Sequence, residues 1–383
     1  MTTLRFATRI DRFPEYIFAS LAKAVAEVEK DSGREVLNLG PGSPDIPPSG
    51  VYLDRLSEFI KEPNAHLYPG YKAIPELEQA LMSWYKRRFD VELETDEVIP
   101  LLGAKDGVSH LPLALLNEHD EILVPDPGYP AYIAPALMVN AKPIPYNLKP
   151  EDGFGISIQD LEKKITKKTR CIWVNFPSNP TGRVANLKEL NEIVTFCKTH
   201  NLVLIYDNAY SEITFDRHVA PSILQIPGAK DLAVELGSFS KTFSFAGFRM
   251  GWLVGNKRIV AALAKVKSQL DSGLSLPLQR LGAFALTNQD IKWHTAMLSS
   301  YEERRNIIAD KLKKLGLSFT LPKGSLYIWA RIPDHAKNST EFSMQLLKEK
   351  QILLTPGIAF GSNGDRHVRV SICSDINSIN KYV

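Results

Sequence analysis

The chain has 383 residues, which is long enough for one large domain and a smaller companion. Its 46 basic and 43 acidic side chains nearly cancel, and no basic block stands out, which argues against nucleic acid or a membrane surface as a partner. Cys171, Cys197 and Cys373 lie far apart without metal-ligand spacing, and no run of about 18 apolar residues predicts a membrane helix, so we expect a soluble, metal-free, cytoplasmic protein.

The N-terminal part of the chain is predicted to form an arm followed by helices. Apolar residues recur at helical spacing over residues 16–30, and no such period precedes them. Prolines and a glycine over residues 44–50 then break the chain before two further helices, over 53–59 and 74–89. We assign residues 1–48 to the arm and to part of a small domain.

Short apolar runs alternate with helical patterns from about residue 98 onward. The runs VIPLL, EILV, CIWVN, LVLIY, AVELG and GWLVG predict strands, and helices are predicted from about residue 106, from residue 132 and over 188–200. Continuous apolar strands separated by helices are typical of a mostly parallel sheet covered on both faces. We therefore predict an α/β fold with a large doubly wound domain over residues 49–280.

The pattern changes in the last third of the chain. A long helical tract runs through Glu303 and Lys314, followed by the strand SLYIWARI, a helix over 342–348 and the short strands ILLTP and HVRVSI. This order indicates a smaller α+β domain over residues 281–383. Because the N-terminal segment is expected to pack with it, the small domain would be built from both termini.

Ligands of open α/β sheets bind beyond the carboxyl ends of the strands, so the polar residues after each apolar run are the candidates. Ala104 and Lys105 follow VIPLL at a helix start, where backbone N–H groups favour a phosphate. Tyr129 follows EILV and offers a ring to a planar ligand, although plain packing also explains such a tyrosine. Asn179 stands before a proline, which favours a turn.

A carboxylate and a lysine follow the next two runs. Asp207 directly follows LVLIY, where a half-buried carboxylate needs a cationic or hydrogen-bonding partner, and a helix N-cap is its alternative role. In SFSKTFSFAGFRMGW, the groups of Ser238, Ser240 and Arg249 can hold a phosphate. Lys241 lies among them, and these residues alone leave it open whether this lysine is a phosphate ligand or an amine nucleophile.

The order of these motifs resembles the class I/II aminotransferases of the pyridoxal-phosphate fold type I group. The resemblance extends from LNLGPGSPDIP through YPGYKAIPEL, LLGAKDG, PDPGYPAY, PSNPTG, YDNAY, SFSK and FRMGW to GDRHVRV. It implies a fold type I architecture, pyridoxal 5′-phosphate as the cofactor and a homodimer with shared active sites. It also implies transfer of an amino group between an L-amino acid and a 2-oxo acid in two ping-pong half-reactions.

The resemblance assigns roles around the cofactor ring. Lys241 would bond the cofactor aldehyde and later shuttle the substrate α-proton. Asp207 would pair with the pyridine nitrogen, which makes the ring an electron sink. Asn179 and Tyr210 would hydrogen-bond the phenolic oxygen, and Tyr129 would stack on the ring face.

Further roles concern the phosphate and the substrate carboxylate. The groups that would hold the phosphate are those of Ala104, Lys105, Ser238, Ser240, Arg249 and, from the partner subunit, Tyr68. Arg369 would grip the substrate α-carboxylate through its planar fork, with Gly42 and Asn179 beside the same carboxylate. Considered alone, without the resemblance, Arg369 would be interpreted as a surface charge on a strand.

Substrate choice is the least determined feature. Aspartate-specific members carry an arginine near the segment matching DSGLSLPLQ, where Ser275 and its neighbours offer none and Arg280 does not align. RIDRFPEYIF, LLGAKDGVSHLPLALLN and DSGLSLPLQ are most similar to the branch of LL-diaminopimelate aminotransferases, with glutamate and 2-oxoglutarate as one substrate pair. Aspartate or alanine transamination and a carbon–sulfur β-lyase remain alternatives. The residues expected to shape the pocket are Tyr16, Phe18, Tyr68 and Tyr327.

Overall fold

The computed structural model describes residues 4–13 and 17–382, so that Tyr16 and the side chain of Phe18 lie outside the described part. Its strands are β1 (Leu37–Asn38), β2 (Val98–Leu101), β3 (Glu121–Asp126), β4 (Lys142–Asn147), β5 (Thr169–Asn175), β6 (Val203–Asp207), β7 (Ala233–Ser238), β8 (Gly251–Gly255), β9 (Tyr327–Arg331), β10 (Ile352–Leu353), β11 (Thr355–Pro356) and β12 (His367–Ser371). Its α-helices are α1 (Ile17–Ser32), α2 (Gly50–Ile60), α3 (Pro75–Phe89), α4 (Ala104–Leu115), α5 (Ile133–Met138), α6 (Ile158–Lys164), α7 (Leu187–His200), α8 (Phe239–Thr242), α9 (Lys257–Lys267), α10 (Leu276–Thr287), α11 (Ile291–Lys314), α12 (Ser339–Lys350) and α13 (Ile376–Tyr382). None of the described helices is both long and apolar enough to span a bilayer.

Seven strands form one twisted sheet in the order β2-β8-β7-β6-β5-β3-β4. Strands β3 to β7 run parallel to their neighbours in this group, whereas β8 is antiparallel to both β2 and β7. The interior strands β7 and β8 are buried at every position, as expected where helices cover both faces of a sheet. The predicted α/β class with a mostly parallel sheet is confirmed.

Strand β4 was missed by the sequence patterns. Its residues KPIPYN contain Pro143 and Pro145, which cannot donate ladder hydrogen bonds. Because β4 lies at the edge of the sheet and pairs with β3 alone, one of its sides needs no partner and tolerates the prolines. The helix predicted from residue 132 starts one residue later, after the 3-10 turn Pro130–Tyr132.

A second hydrophobic core joins the two ends of the chain. Around it lie the antiparallel sheet β11-β12-β9 and the parallel pair β1-β10. Leu37 and Leu39 pack in the same cluster as Ile308 and Val370. Helix α13 adds the fully buried Ile379, so the C-terminal helix closes this core.

The N-terminal arm has regular structure in its described part. Residues Thr8–Arg12 form a 3-10 helix, and Arg12 Nη1 donates to Asn140 Oδ1 at 3.0 Å. Helix α1 then packs through Leu21 against Leu347 and Leu353. The arm is therefore attached to both parts of the molecule.

Candidate active site

A cavity of about 480 Å³ lies at the carboxyl ends of β5, β6 and β7 and is bordered by β9 and β12 of the second sheet. Parallel strands present their polar ends at one edge, which is where ligands of such sheets bind. Every predicted site residue except Tyr68 lines this cavity, namely Gly42, Ala104, Lys105, Tyr129, Asn179, Asp207, Tyr210, Ser238, Ser240, Lys241, Arg249 and Arg369.

Lys241 lies on the four-residue helix α8, directly after β7. Ser238 caps this helix, because its Oγ accepts a hydrogen bond from the Ser240 N–H at 3.2 Å. The Lys241 ammonium donates to the carbonyl of Gly42 at 3.0 Å. Burial lowers the pKa of Lys241 to about 8, and the positive charge of Arg369 acts in the same direction. A neutral, nucleophilic amine is therefore accessible close to neutral pH.

Asp207 ends β6 and is held by a residue that the sequence analysis did not single out. Its Oδ2 accepts a hydrogen bond from the Tyr132 phenol at 2.7 Å, and its Oδ1 accepts from the Ala209 N–H at 3.2 Å. Burial raises the pKa of the Asp207 carboxyl, and both donors oppose that rise. The Tyr132 ring stacks on Trp173 at 4.6 Å. The sequence analysis assigned a role to Tyr129 alone in PDPGYPAY, and the contact of Tyr132 with Asp207 is visible only in the fold.

Asn175 is a second residue that the sequence analysis passed over. Its Nδ2 donates to the carbonyl of Asp207 at 2.8 Å, and its Oδ1 accepts from the Asn179 N–H at 2.8 Å. Asn175 therefore ties the end of β6 to the turn that carries Asn179. The signal was present, since Asn175 is the polar residue that ends the apolar run CIWVN.

Arg369 is buried on β12 with only 3% of its surface exposed, so its alternative role as a surface charge is wrong. Its Nη1 donates to Asn179 Oδ1 at 2.9 Å, and its Nη2 donates to the carbonyl of Gly40 at 2.7 Å. The Tyr327 ring lies 4.2 Å from its guanidinium carbon. A buried guanidinium at the edge of a cavity is suited to bidentate binding of a carboxylate.

Backbone and side-chain donors converge at the start of α4. Gly103 has a positive φ of 83° directly before the helix, and a Cβ there would lie 2.5 Å from Arg249 Nη2. The first N–H groups of a helix have no acceptor inside it and point at anions. The donors gathered here are those of Ala104, Lys105, Ser238, Ser240 and Arg249. This donor set fits the phosphate of pyridoxal phosphate, with Tyr129 and Asp207 beside the space for its ring.

A buried lysine holds the carboxylates that anchor the loop before α4. Lys267 is 2% exposed and pairs with both Asp106 and, at 2.7 Å, Asp271. Asp106 also accepts the N–H of Leu102 at 2.8 Å. Because the ammonium of Lys267 supplies the positive charge that these carboxylates need, the cluster holds the loop before α4 in place.

Of the residues predicted to shape the substrate pocket, Tyr327 lines the cavity and Tyr68 does not. Tyr327 lines the cavity, and its hydroxyl lies 3.0 Å from that of Tyr210. Tyr68 is 88% exposed and lies outside the cavity lining. Arg280 forms an ion pair with Glu62, and among the described residues of the lining the arginines are Arg249 and Arg369.

Comparisons with known proteins agree with this geometry. A sequence model of the family "Aminotransferase class I and II" matches residues 34–381. The chain is 38% identical over 368 residues to the LL-diaminopimelate aminotransferase of Aquifex aeolicus, and 35% identical over 367 residues to that of Halothermothrix orenii; each match covers 96% of this chain and 94% of the relative. The substrate-bound structure of BacF from Bacillus subtilis superposes with a TM-score of 0.92 at 34% identity, over 99% of this chain and 96% of that one. The chain therefore belongs to the class I and II aminotransferase family and is a pyridoxal-phosphate-dependent aminotransferase.

Proposed function

We propose that the chain transfers the amino group of LL-diaminopimelate to 2-oxoglutarate. The observation that carries transamination is the convergence of Lys241, Asp207 and Arg369 on one cavity. The choice of donor is supported by the two relatives named as LL-diaminopimelate aminotransferases, which match this chain over nearly all of its length.

Pyridoxal phosphate, when bound, supplies an aldehyde for the amino group and a ring that takes up the electron pair released at the substrate Cα. Arg369 holds the α-carboxylate, together with the side-chain amide of Asn179, with which it is already hydrogen-bonded. This orients the Cα–H bond toward Lys241, whose Nζ accepts the α-proton and later returns it. The low pKa of Lys241 suits both directions of this transfer near neutral pH.

The remaining groups control charge around the reacting atoms. Asp207 provides a carboxylate at the end of β6 for a protonated ring nitrogen, and the hydrogen bond from Tyr132 favours the ionised form of that carboxylate against the effect of burial. Tyr210 presents its hydroxyl to the cavity next to that of Tyr327. Burial raises the pKa of Tyr210 well above its usual value, so its phenol stays protonated and donates a hydrogen bond.

A donor screen with the purified holoenzyme tests the substrate assignment. With 2-oxoglutarate as acceptor, LL-diaminopimelate should give the highest kcat/KM for glutamate formation among LL-diaminopimelate, L-aspartate and L-alanine. A higher value for aspartate or alanine would reassign the donor. Release of pyruvate and ammonia from cystathionine without any 2-oxo acid would indicate a β-lyase instead, and no transfer from any donor would contradict transamination.

We further propose a cytoplasmic homodimer in which Tyr68 reaches the phosphate of the partner's cofactor. The cytoplasm is supported by the three unpaired cysteines, and the dimer by the exposure of Leu67, Tyr68 and Tyr71, which are 50%, 88% and 45% exposed. Mixed dimers of Lys241→Ala and Tyr68→Phe test it. If Tyr68 acts across the interface, the mixture regains an intact site and activity exceeds that of either variant alone. No gain would exclude a shared site.

A further inference from the structure

The orientation of Arg369 depends on two aromatic rings. Its guanidinium carbon lies 4.2 Å from the centroid of Tyr327 and 4.6 Å from that of Phe360. A guanidinium that contacts aromatic faces keeps its hydrogen-bonding edges for polar partners in its plane. These rings, together with the hydrogen bonds to Asn179 and Gly40, therefore set the plane in which Arg369 can bind a carboxylate.

Phe360 is held by a neighbouring ring and by a backbone hydrogen bond. It ends a 3-10 turn, Gly357–Phe360, and its ring meets that of Trp329 edge-on at 5.7 Å. Its carbonyl accepts a hydrogen bond from the N–H of Gly128 at 2.8 Å. Gly128 is the residue directly before Tyr129, which lines the cofactor side of the cavity. The backbone that carries Tyr129 thus also holds Phe360.

Asp126 secures the loop that follows Phe360. This aspartate ends β3 and is 6% exposed. Its Oδ2 accepts from the Ser362 hydroxyl at 2.8 Å, and its Oδ1 accepts from the Asn363 N–H at 3.1 Å. The Asn363 amide also donates to the carbonyl of Asp126 at 3.1 Å. A buried carboxylate that receives several donors forms stronger, better directed bonds than a neutral acceptor does.

Gly361 allows the 360–363 loop to approach the carboxylate of Asp126 closely. Its φ is +129°, a conformation that favours glycine, and a Cβ on it would overlap Oδ1 of Asp126. The loop therefore wraps directly onto the carboxylate. Since Gly361 is adjacent to Phe360, a displacement of the loop from Asp126 would move the ring that covers Arg369.

We propose that Asp126 is a positioning residue for substrate binding: it holds the 360–363 loop so that Phe360 keeps Arg369 in the plane that receives the substrate α-carboxylate. The inference rests on the proposed function, because it takes Arg369 as the carboxylate-binding group. Asp126 does not line the cavity itself and acts only through this loop.

The test measures carboxylate binding without catalysis. The cofactor-loaded enzyme has no amino group to give, so 2-oxoglutarate binds to it without reacting, and calorimetric titration yields its Kd. For Asp126→Asn we expect this Kd to rise about tenfold, while the Kd of pyridoxal phosphate for the apoprotein changes less than about twofold. Phe360→Leu, which keeps an apolar side chain but loses the ring, should have the same effect.

Asp120→Asn is the matched control. Asp120 precedes the other end of β3 and is 8% exposed, and its carboxylate accepts from Arg170 and from the Asn117 N–H. The Asp120→Asn substitution should lower the Tm while leaving the Kd of 2-oxoglutarate unchanged. Wild-type Kd values in both Asp126→Asn and Phe360→Leu would overturn the positioning role. Should Asp126→Asn fail to fold, Asn363→Ala replaces it, and we again expect the Kd of 2-oxoglutarate to rise. An unchanged Kd in Asn363→Ala would likewise overturn the positioning role.

Failure of the inference differs from failure of the proposed function. If the wild-type holoenzyme neither binds 2-oxoglutarate nor forms glutamate, the proposed function is wrong. If the wild type does both and the Asp126 and Phe360 variants bind 2-oxoglutarate as tightly, only the positioning role is wrong.

Discussion

The phenol of Tyr132 donates a hydrogen bond to Oδ2 of Asp207 at 2.7 Å, in surroundings where the two residues are 1% and 6% exposed. Without such a donor, burial would favour the neutral carboxyl, which is the wrong form for pairing with a protonated ring nitrogen. Stacking of Tyr132 on Trp173 fixes the ring, so the hydroxyl has little freedom to point elsewhere. The pair therefore acts as one unit that sets the charge at the end of β6.

Tyr132→Phe should keep the stacked ring and remove only the donor. A hydrogen bond to a charged group contributes about 1.5 kcal/mol or more, so we expect kcat to fall about tenfold. The pKa of Asp207 should rise further, and because the carboxylate form is needed, the acid limb of the pH–rate profile should move to higher pH. Kinetics between about pH 5 and pH 9 measure both effects.

Tyr146→Phe provides the control for this prediction. Tyr146 is likewise 1% exposed, and its hydroxyl donates to the carbonyl of Trp173 at 2.8 Å, so the substitution also removes a buried phenol next to Trp173. It should lower the Tm without moving the acid limb. Equal acid limbs in Tyr132→Phe and the wild type would show that Asp207 does not depend on Tyr132.

Lys241→Ala should abolish transamination and leave the fold intact. Its ammonium donates to the carbonyl of Gly42, and removing a partly desolvated charge costs little stability. Loss of the proton-transfer group lowers rates by about 10²- to 10⁴-fold, and loss of the covalent bond to the cofactor should also remove the visible absorbance band. The prediction is checked by measuring absorbance, glutamate formation and the Tm on one preparation of the variant. Normal turnover would contradict the role of Lys241.

The rate at which the apoprotein bonds pyridoxal phosphate should depend on pH through Lys241. Only the neutral amine attacks an aldehyde, and burial lowers the pKa of this amine to about 8. Because the neutral fraction of the amine grows as pH rises, the rate of bonding should increase through about pH 8 and level off above it. Stopped-flow absorbance measures this rate. A midpoint near pH 10, as for an exposed lysine at about 10.4, would mean that Lys241 is not desolvated.

The sequence predicts the site residues that lie at the carboxyl ends of the strands. Asp207 and Ser238 end apolar runs, and parallel pairing necessarily brings them to one edge of the sheet. The chain division at residues 48 and 280 stays a prediction, although Leu37 and Ile308 share one core. Substrate choice was not predictable from the motifs of one chain, because Tyr68 and its surroundings would act in a partner subunit.

Contacts between distant segments were not predictable from local patterns. Tyr132 and Asp207 are far apart in sequence, and so are Asp126 and Asn363. The first pair forms when β3 and β6 join the seven-stranded sheet, and the second forms only where the turn before β12 packs onto the end of β3. Periodicity contains no information on either contact. Strand β4 was missed for a related reason: its prolines are unfavourable locally and are tolerated only because of its edge position.

Gly103→Ala should weaken cofactor binding through backbone geometry alone. Gly103 has φ 83° and ψ 158°, a region that is essentially restricted to glycine, and an added Cβ would lie 2.5 Å from Arg249 Nη2. Relief of this overlap must shift either the start of α4 or Arg249, both of which line the predicted phosphate site. Strain of about 1–3 kcal/mol predicts a rise in the Kd of pyridoxal phosphate of about tenfold or more, measured by titration of the apoprotein.

Gly153→Ala separates this effect from general backbone strain. Gly153 also has a positive φ, of 56°, but a Cβ there meets nothing within 4 Å. Its substitution should lower the Tm by a few degrees and leave the Kd of pyridoxal phosphate unchanged, because the strain is not transmitted to a phosphate donor. If Gly103→Ala lowered the Tm in the same way and bound pyridoxal phosphate as tightly as the wild type, the start of α4 would not be the phosphate site.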